Sequence, residues 1–81
     1  MKTINVNGKD YVVSSERELS RNVWYEIRSA LRDMEKMGAS IGKIRQYKVN
    51  INGQLIPIFN PATGEKSKKG KERLHNIFYA I

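Results

Sequence analysis

The sequence predicts an α+β fold: a small antiparallel sheet of two hairpins carrying two helices, in the order β-β-α-β-β-α. Three observations predict it. The stretch Ile4-Asn5-Val6-Asn7-Gly8 is nearly repeated as Val49-Asn50-Ile51-Asn52-Gly53, and each copy is followed by a second apolar run. Asn-Gly adopts the positive φ angles of a tight type I′ turn, so both copies read as hairpins. Between them apolar residues recur every three or four positions, and they do so again toward the C-terminus. The 81 residues suffice for one domain, residues 1–81, with a modest core.

In chain order, the first hairpin pairs Thr3–Val6 with Lys9–Val13. Ser15 then caps a helix, with Glu18 completing a capping box. Leu19, Val23, Ile27, Leu31 and Met34 form its apolar stripe, flanked by Trp24, Ala30 and Met37, and Gly38 stops it. Such a stripe is core packing before it is a ligand site. The second hairpin pairs Arg45–Ile51 with Gln54–Phe59, and Pro57, lacking an N–H, belongs on an edge or at a bulge. A last helix begins between Ser67 and Gly70 and turns Leu74, Ile77, Phe78 and Ile81 toward the sheet. The matching halves suggest a duplicated ββα unit, with too few copies for a solenoid.

Composition narrows the function classes. With 40% hydrophobic and 28% charged residues the chain reads as folded. It has no cysteine, which excludes disulfides and thiolate metal sites and fits a reducing compartment. No apolar run is long enough for a membrane span, and Met1-Lys2-Thr3 leads straight into a strand pattern, so a cytoplasmic location is expected. His75 is the single histidine. Metal-ligand spacing, a Gly-rich phosphate loop and a nucleophile motif are all missing, so a binding protein without metal or cofactor is expected, not an enzyme. General acid–base work by His75 beside Arg73 is the catalytic alternative.

Charge gives the functional lead. Fifteen Lys and Arg against eight Asp and Glu leave +7. Residues 1–38 carry seven basic and six acidic side chains, a net of +1, and residues 39–81 carry eight and two, a net of +6. A field of this sign attracts polyanions, and nucleic acid, RNA ahead of DNA, is the expected partner. The main binding face is expected from Lys66, Lys68, Lys69, Lys71 and Arg73, where a helix N-terminus adds free N–H groups and a positive dipole end. Lys43, Arg45 and Lys48 widen it. Arg17, Arg21, Arg28 and Arg32 make a second basic face along the first helix, extended by Tyr25 and Lys36. The alternatives for that row are a solvated face with local ion pairs to Glu18 and Asp33, or a protein interface. Tyr47, between Arg45 and Lys48, is the leading candidate for base stacking, with Tyr11, Phe59 and Tyr79 behind it. Binding through phosphates, with counterion release, implies weak sequence preference and a steep salt dependence.

Three resemblances bear on this expectation. From Tyr47-Lys48-Val49-Asn50-Ile51-Asn52-Gly53 through Ser67-Lys68-Lys69 the chain resembles the second half of a double-stranded-RNA-binding domain. The resemblance implies that Lys68 and Lys69, with Lys71, contact phosphates across the RNA major groove. Leu74, His75 and Asn76 stand where that family has small alanines. The segment Asn60-Pro61-Ala62-Thr63-Gly64-Glu65 is similar to the arm tip of histone-like bacterial DNA-bending proteins, which implies a base-pair wedge at Pro61. In size and charge the chain also resembles small phage accessory proteins, among them basic RNA-binding inhibitors of host toxin ribonucleases such as ToxN. That likeness implies a protein-interaction module that meets a ribonuclease or other protein directly, or bridged by RNA, in the host cytoplasm.

Overall fold

The structure, a computed structural model, describes residues 1–60 and 68–80, with only the backbone for Lys68, Lys69 and Lys71. It is an α+β fold with strands β1 (Lys2–Val6), β2 (Lys9–Val13), β3 (Lys48–Ile51) and β4 (Gln54–Pro57). The helices are α1 (Glu16–Lys36), α2 (Ile41–Arg45) and α3 (Lys68–Ala80). The strands form one antiparallel sheet in the order β2-β1-β3-β4, so Pro57 lies on an edge strand where its missing N–H is harmless.

Both hairpins turn as the Asn-Gly pairs require. Asn7 and Asn52 have φ of 50° and 51°, and Gly8 and Gly53 follow at 89° and 84°. The hairpins join at their tips, with Val6 opposite Ile51. Asn7 N–H donates to the Asn50 carbonyl at 2.8 Å, and Asn52 N–H donates to the Asn5 carbonyl at 2.9 Å. Side chains repeat the exchange. Asn52 Oδ1 accepts from Asn5 N–H at 2.8 Å and Asn7 Oδ1 from Asn50 N–H at 2.9 Å. Asn5 Oδ1 takes Gly8 N–H at 3.1 Å, and Asn50 Oδ1 takes Gly53 N–H at 3.0 Å. Each bond in one half has its counterpart in the other, so the repeat seen in sequence is an approximate two-fold symmetry in space.

One face of the sheet carries the core. Ile4, Val6, Val13, Val49, Ile51, Ile56 and Ile58 are buried against Leu19, Val23 and Ile27 of α1 and Phe78 of α3. Ser15 caps α1, accepting from Glu18 N–H at 3.2 Å. The Glu18 carboxylate reaches back one residue further than a standard capping box, to the N–H and hydroxyl of Ser14. At the other end Gly38, at φ 75°, donates to the Glu35 carbonyl and Ala39 to that of Met34, a Schellman ending. Leu31 and Trp24 pack at the margin of the core.

Helix α3 approaches β4 closely enough that a Cβ on Gly70 would sit 3.3 Å from the Pro57 carbonyl oxygen. Lys2 Nζ donates to the Phe78 carbonyl at 2.6 Å and lies 4.2 Å from the centre of its ring, tying β1 to α3. Ile81, expected on the apolar face of α3, lies outside the described residues.

Two boundaries differ from expectation. Arg45 was expected in the second hairpin but ends α2, a short helix absent from the predicted order. Ser40 caps it through Lys43 N–H at 3.3 Å, and Ile44 N–H closes the turn on the Ser40 carbonyl at 3.0 Å, so β3 starts only at Lys48. Strand β4 ends at Pro57, two residues short of the expected Phe59.

Candidate nucleic-acid interface

Arg17, Arg21, Arg28 and Arg32 are all exposed on α1. At 3.6 residues per turn they fall within an arc of roughly 60° and span roughly 22 Å along the axis. That arc lies away from the Leu19–Val23–Ile27 stripe, which faces the sheet. Tyr25, 61% exposed, borders the middle of the row, and exposed Lys36 extends it.

The ion pairs to Glu18 and Asp33 that the alternative of a solvated face would bring do not form. Among the described residues four acids are engaged elsewhere. Glu16 accepts from or pairs with His75 Nδ1 at 3.0 Å, and Asp10 accepts from Asn5 Nδ2 at 3.0 Å. Glu18 holds Ser14, and these hydrogen bonds, with a smaller contribution from Arg21, hold its carboxyl below the usual range. Glu26 is buried, accepting from the Tyr11 hydroxyl with Lys9 Nζ at 3.6 Å. Glu35 shares the arginine arc and forms no ion pair. The four arginines therefore stand without ion-pair partners among the described residues, in an arc whose net charge Glu35 lowers by one.

The second expected face is only partly visible. Lys66 and Pro61 lie outside the described residues, as do the side chains of Lys68, Lys69 and Lys71. Arg73 is exposed on α3, and Lys43 is exposed on α2. Arg45 and Lys48 do come together. With Gln46, Pro57 and Phe59 they line an open depression of about 320 Å³ between the end of α2 and the β3–β4 pair. Lys48 and Pro57 are register partners, both exposed, while Val49 and Ile56 beside them point into the core.

Tyr47 is placed differently from its charged neighbours in sequence. Its ring packs against the core, and its hydroxyl accepts from Asn7 Nδ2 at 2.8 Å at the tip of the other hairpin. Burial pushes its hydroxyl pKa up, a shift the bond from Asn7 partly opposes. The bond to Glu26 pushes that of Tyr11 up to about 12. The aromatic beside the Arg45–Lys48 pair is instead Phe59, half-buried at the rim of the sheet. The Asn7–Tyr47 bond joins residues far apart in sequence, so no local pattern could separate the two aromatics.

Among the described residues, no helix is long and apolar enough to cross a membrane. No family model, no curated protein and no solved structure matches this chain.

Proposed function

We propose that this protein binds nucleic acid, RNA in preference to DNA, mainly through phosphate contacts and without catalysing a reaction. The observation that carries the reading is the arginine row of α1, four exposed guanidiniums with no ion-pair partner among the described residues. Guanidinium forks suit phosphate oxygens, and the row tracks a backbone over roughly 22 Å of helix. The overall charge of +7 steers a polyanion toward it. The preference for RNA rests on the resemblance of the Tyr47–Lys71 segment to a double-stranded-RNA-binding domain.

The test is a salt titration of affinity for a short RNA. Replacing Arg17, Arg21, Arg28 and Arg32 by Gln together should lower the slope of log affinity against log salt by about 3 if four phosphate contacts are lost. A slope that is flat in the unmodified protein, or unchanged in the variant, removes the reading.

A second reading, an interaction module that inhibits a ribonuclease directly or through RNA, is favoured by the apolar side chains exposed where α1 meets α2. Met37 is 86% and Ile41 70% exposed. A pull-down with and without ribonuclease treatment separates the two. Partners that survive treatment favour direct protein contact, and loss of every partner excludes it.

A further inference from the structure

The depression beside Phe59 sits in the half of the molecule where the approximate symmetry breaks. The hairpins superpose Asn5-Val6-Asn7-Gly8 on Asn50-Ile51-Asn52-Gly53 without insertion, so Lys48, Pro57 and Phe59 correspond to Thr3, Val12 and Ser14. The first hairpin builds the same sheet with two small hydroxyl residues and a valine. Strand pairing by itself therefore does not require a cation and an aromatic ring at these positions, although Phe59 also packs against the core. Arg45 ends α2 and Gln46 caps it, so that short helix brings both to this edge of the sheet.

We infer that this depression is a nucleotide subsite, taking one unpaired base with its phosphate from a single-stranded stretch of nucleic acid; the inference rests on the function proposed above. The chemistry is complementary on each side. Phe59 offers a ring for a base to stack on, and Pro57 an apolar wall beside it. Gln46 carries a donor and an acceptor for a base edge. Arg45 and Lys48 supply two cations for the phosphate, and neither has an acidic partner among the described residues. The volume of about 320 Å³ is open enough to admit a base from solvent. Phosphate alone would need only the cations. The ring beside them selects a nucleotide.

The test compares Phe59→Leu and Arg45→Gln with the unmodified protein on two polyanions, a short oligouridylate and inorganic polyphosphate. Phe59→Leu should weaken oligouridylate binding roughly 5- to 100-fold, the effect of losing one base–aromatic stack, and leave polyphosphate binding unchanged. Arg45→Gln should weaken both. In the unmodified protein, uridine monophosphate should shift the backbone amide resonances of Gln46, Lys48 and Phe59, while inorganic phosphate should leave Phe59 unmoved. This arm decides the matter if Phe59→Leu proves unfolded. Equal affinities of Phe59→Leu and unmodified protein for oligouridylate, or a Phe59 amide unmoved by uridine monophosphate, overturn the subsite and leave phosphate binding along α1 standing. Failure of the unmodified protein to bind either polymer removes both.

Discussion

The tip-to-tip seam between the hairpins makes a quantitative prediction, because the same residue types do the same work twice. Asn7 and Asn52 each hold a left-handed backbone angle and each accept one backbone N–H across the seam. Alanine at either site must adopt that angle against its Cβ, which costs about 1–2 kcal/mol. It also loses a side-chain acceptor worth about 0.5–1.5 kcal/mol. Asn7→Ala and Asn52→Ala should therefore each destabilise by about 2–3 kcal/mol. Glycine removes the strain but not the lost bond, so Asn7→Gly and Asn52→Gly should each cost about 1 kcal/mol.

The symmetry fails at the Asn7 side chain, as it does where Asn5 Nδ2 donates to Asp10 with no counterpart at Asn50. Asn7 Nδ2 also donates to the Tyr47 hydroxyl at 2.8 Å, and Asn52 makes no matching bond. Asn7→Ala should thus exceed Asn52→Ala by up to about 1 kcal/mol, and the excess should vanish in a Tyr47→Phe background. Urea unfolding of the five single variants and two doubles measures every term. Glycine as damaging as alanine would refute the strain argument. A harmless Asn52→Ala beside a damaging Asn7→Ala would refute the seam as a symmetric structure.

Three further predictions follow from single contacts. Tyr11→Phe leaves the buried Glu26 carboxylate with Lys9 alone; it should lower the urea midpoint and abolish the tyrosine ionisation near pH 12 in a near-ultraviolet titration. Glu18 has its folded-state pKa lowered by Ser14, so its contribution is present above the ordinary value of 4.5 and lost as pH falls through the lowered one. Glu18→Gln should accordingly be less stable than the parent at neutral pH and lose less on acidification, read by thermal melts across that range. Gly70→Ala places a methyl 3.3 Å from the Pro57 carbonyl oxygen, so α3 must shift away from β4. The melting temperature should fall, although alanine is the better helix former by about 1 kcal/mol.

The hairpins and α1 were legible because their signals are local. Asn-Gly fixes a turn by its own backbone preference, and Ser15 and Gly38 mark helix ends through bonds reaching only three to five residues. Helix α2 was missed because five residues are too few for periodicity to register, and Ile44-Arg45 merges by pattern into the alternation of β3. The burial of Glu26 was not legible, since nothing near it in sequence announces Tyr11 across the helix–sheet interface. The charge excess of the second half was plain, but which aromatic stands beside it depends on where α2 turns the chain. That turn sends Tyr47 to the Asn7 tip and leaves Phe59 with Arg45 and Lys48.

A duplicated frame separates what folding needs from what it does not. Where the halves agree, as at Val6 with Ile51 or Asn7 with Asn52, the residue is explained by packing or by turn geometry. Where they disagree, strand pairing alone gives no reason for the difference, although Ser14 also holds Glu18 at the start of α1 and Phe59 also packs against the core. Lys48 against Thr3 and Phe59 against Ser14 are such departures, and they meet in one depression. The arginine row is a different case, since an exposed helix face tolerates many polar residues. Four arginines there raise like-charge repulsion along α1, and Glu18 and Glu26 are turned to a cap and a buried bond in place of relieving it. A bound polyanion would remove that repulsion, so ligand binding should stabilise α1 as well as the protein as a whole. A rise in melting temperature with RNA that disappears when the four arginines are replaced would connect the unrelieved charge to its use.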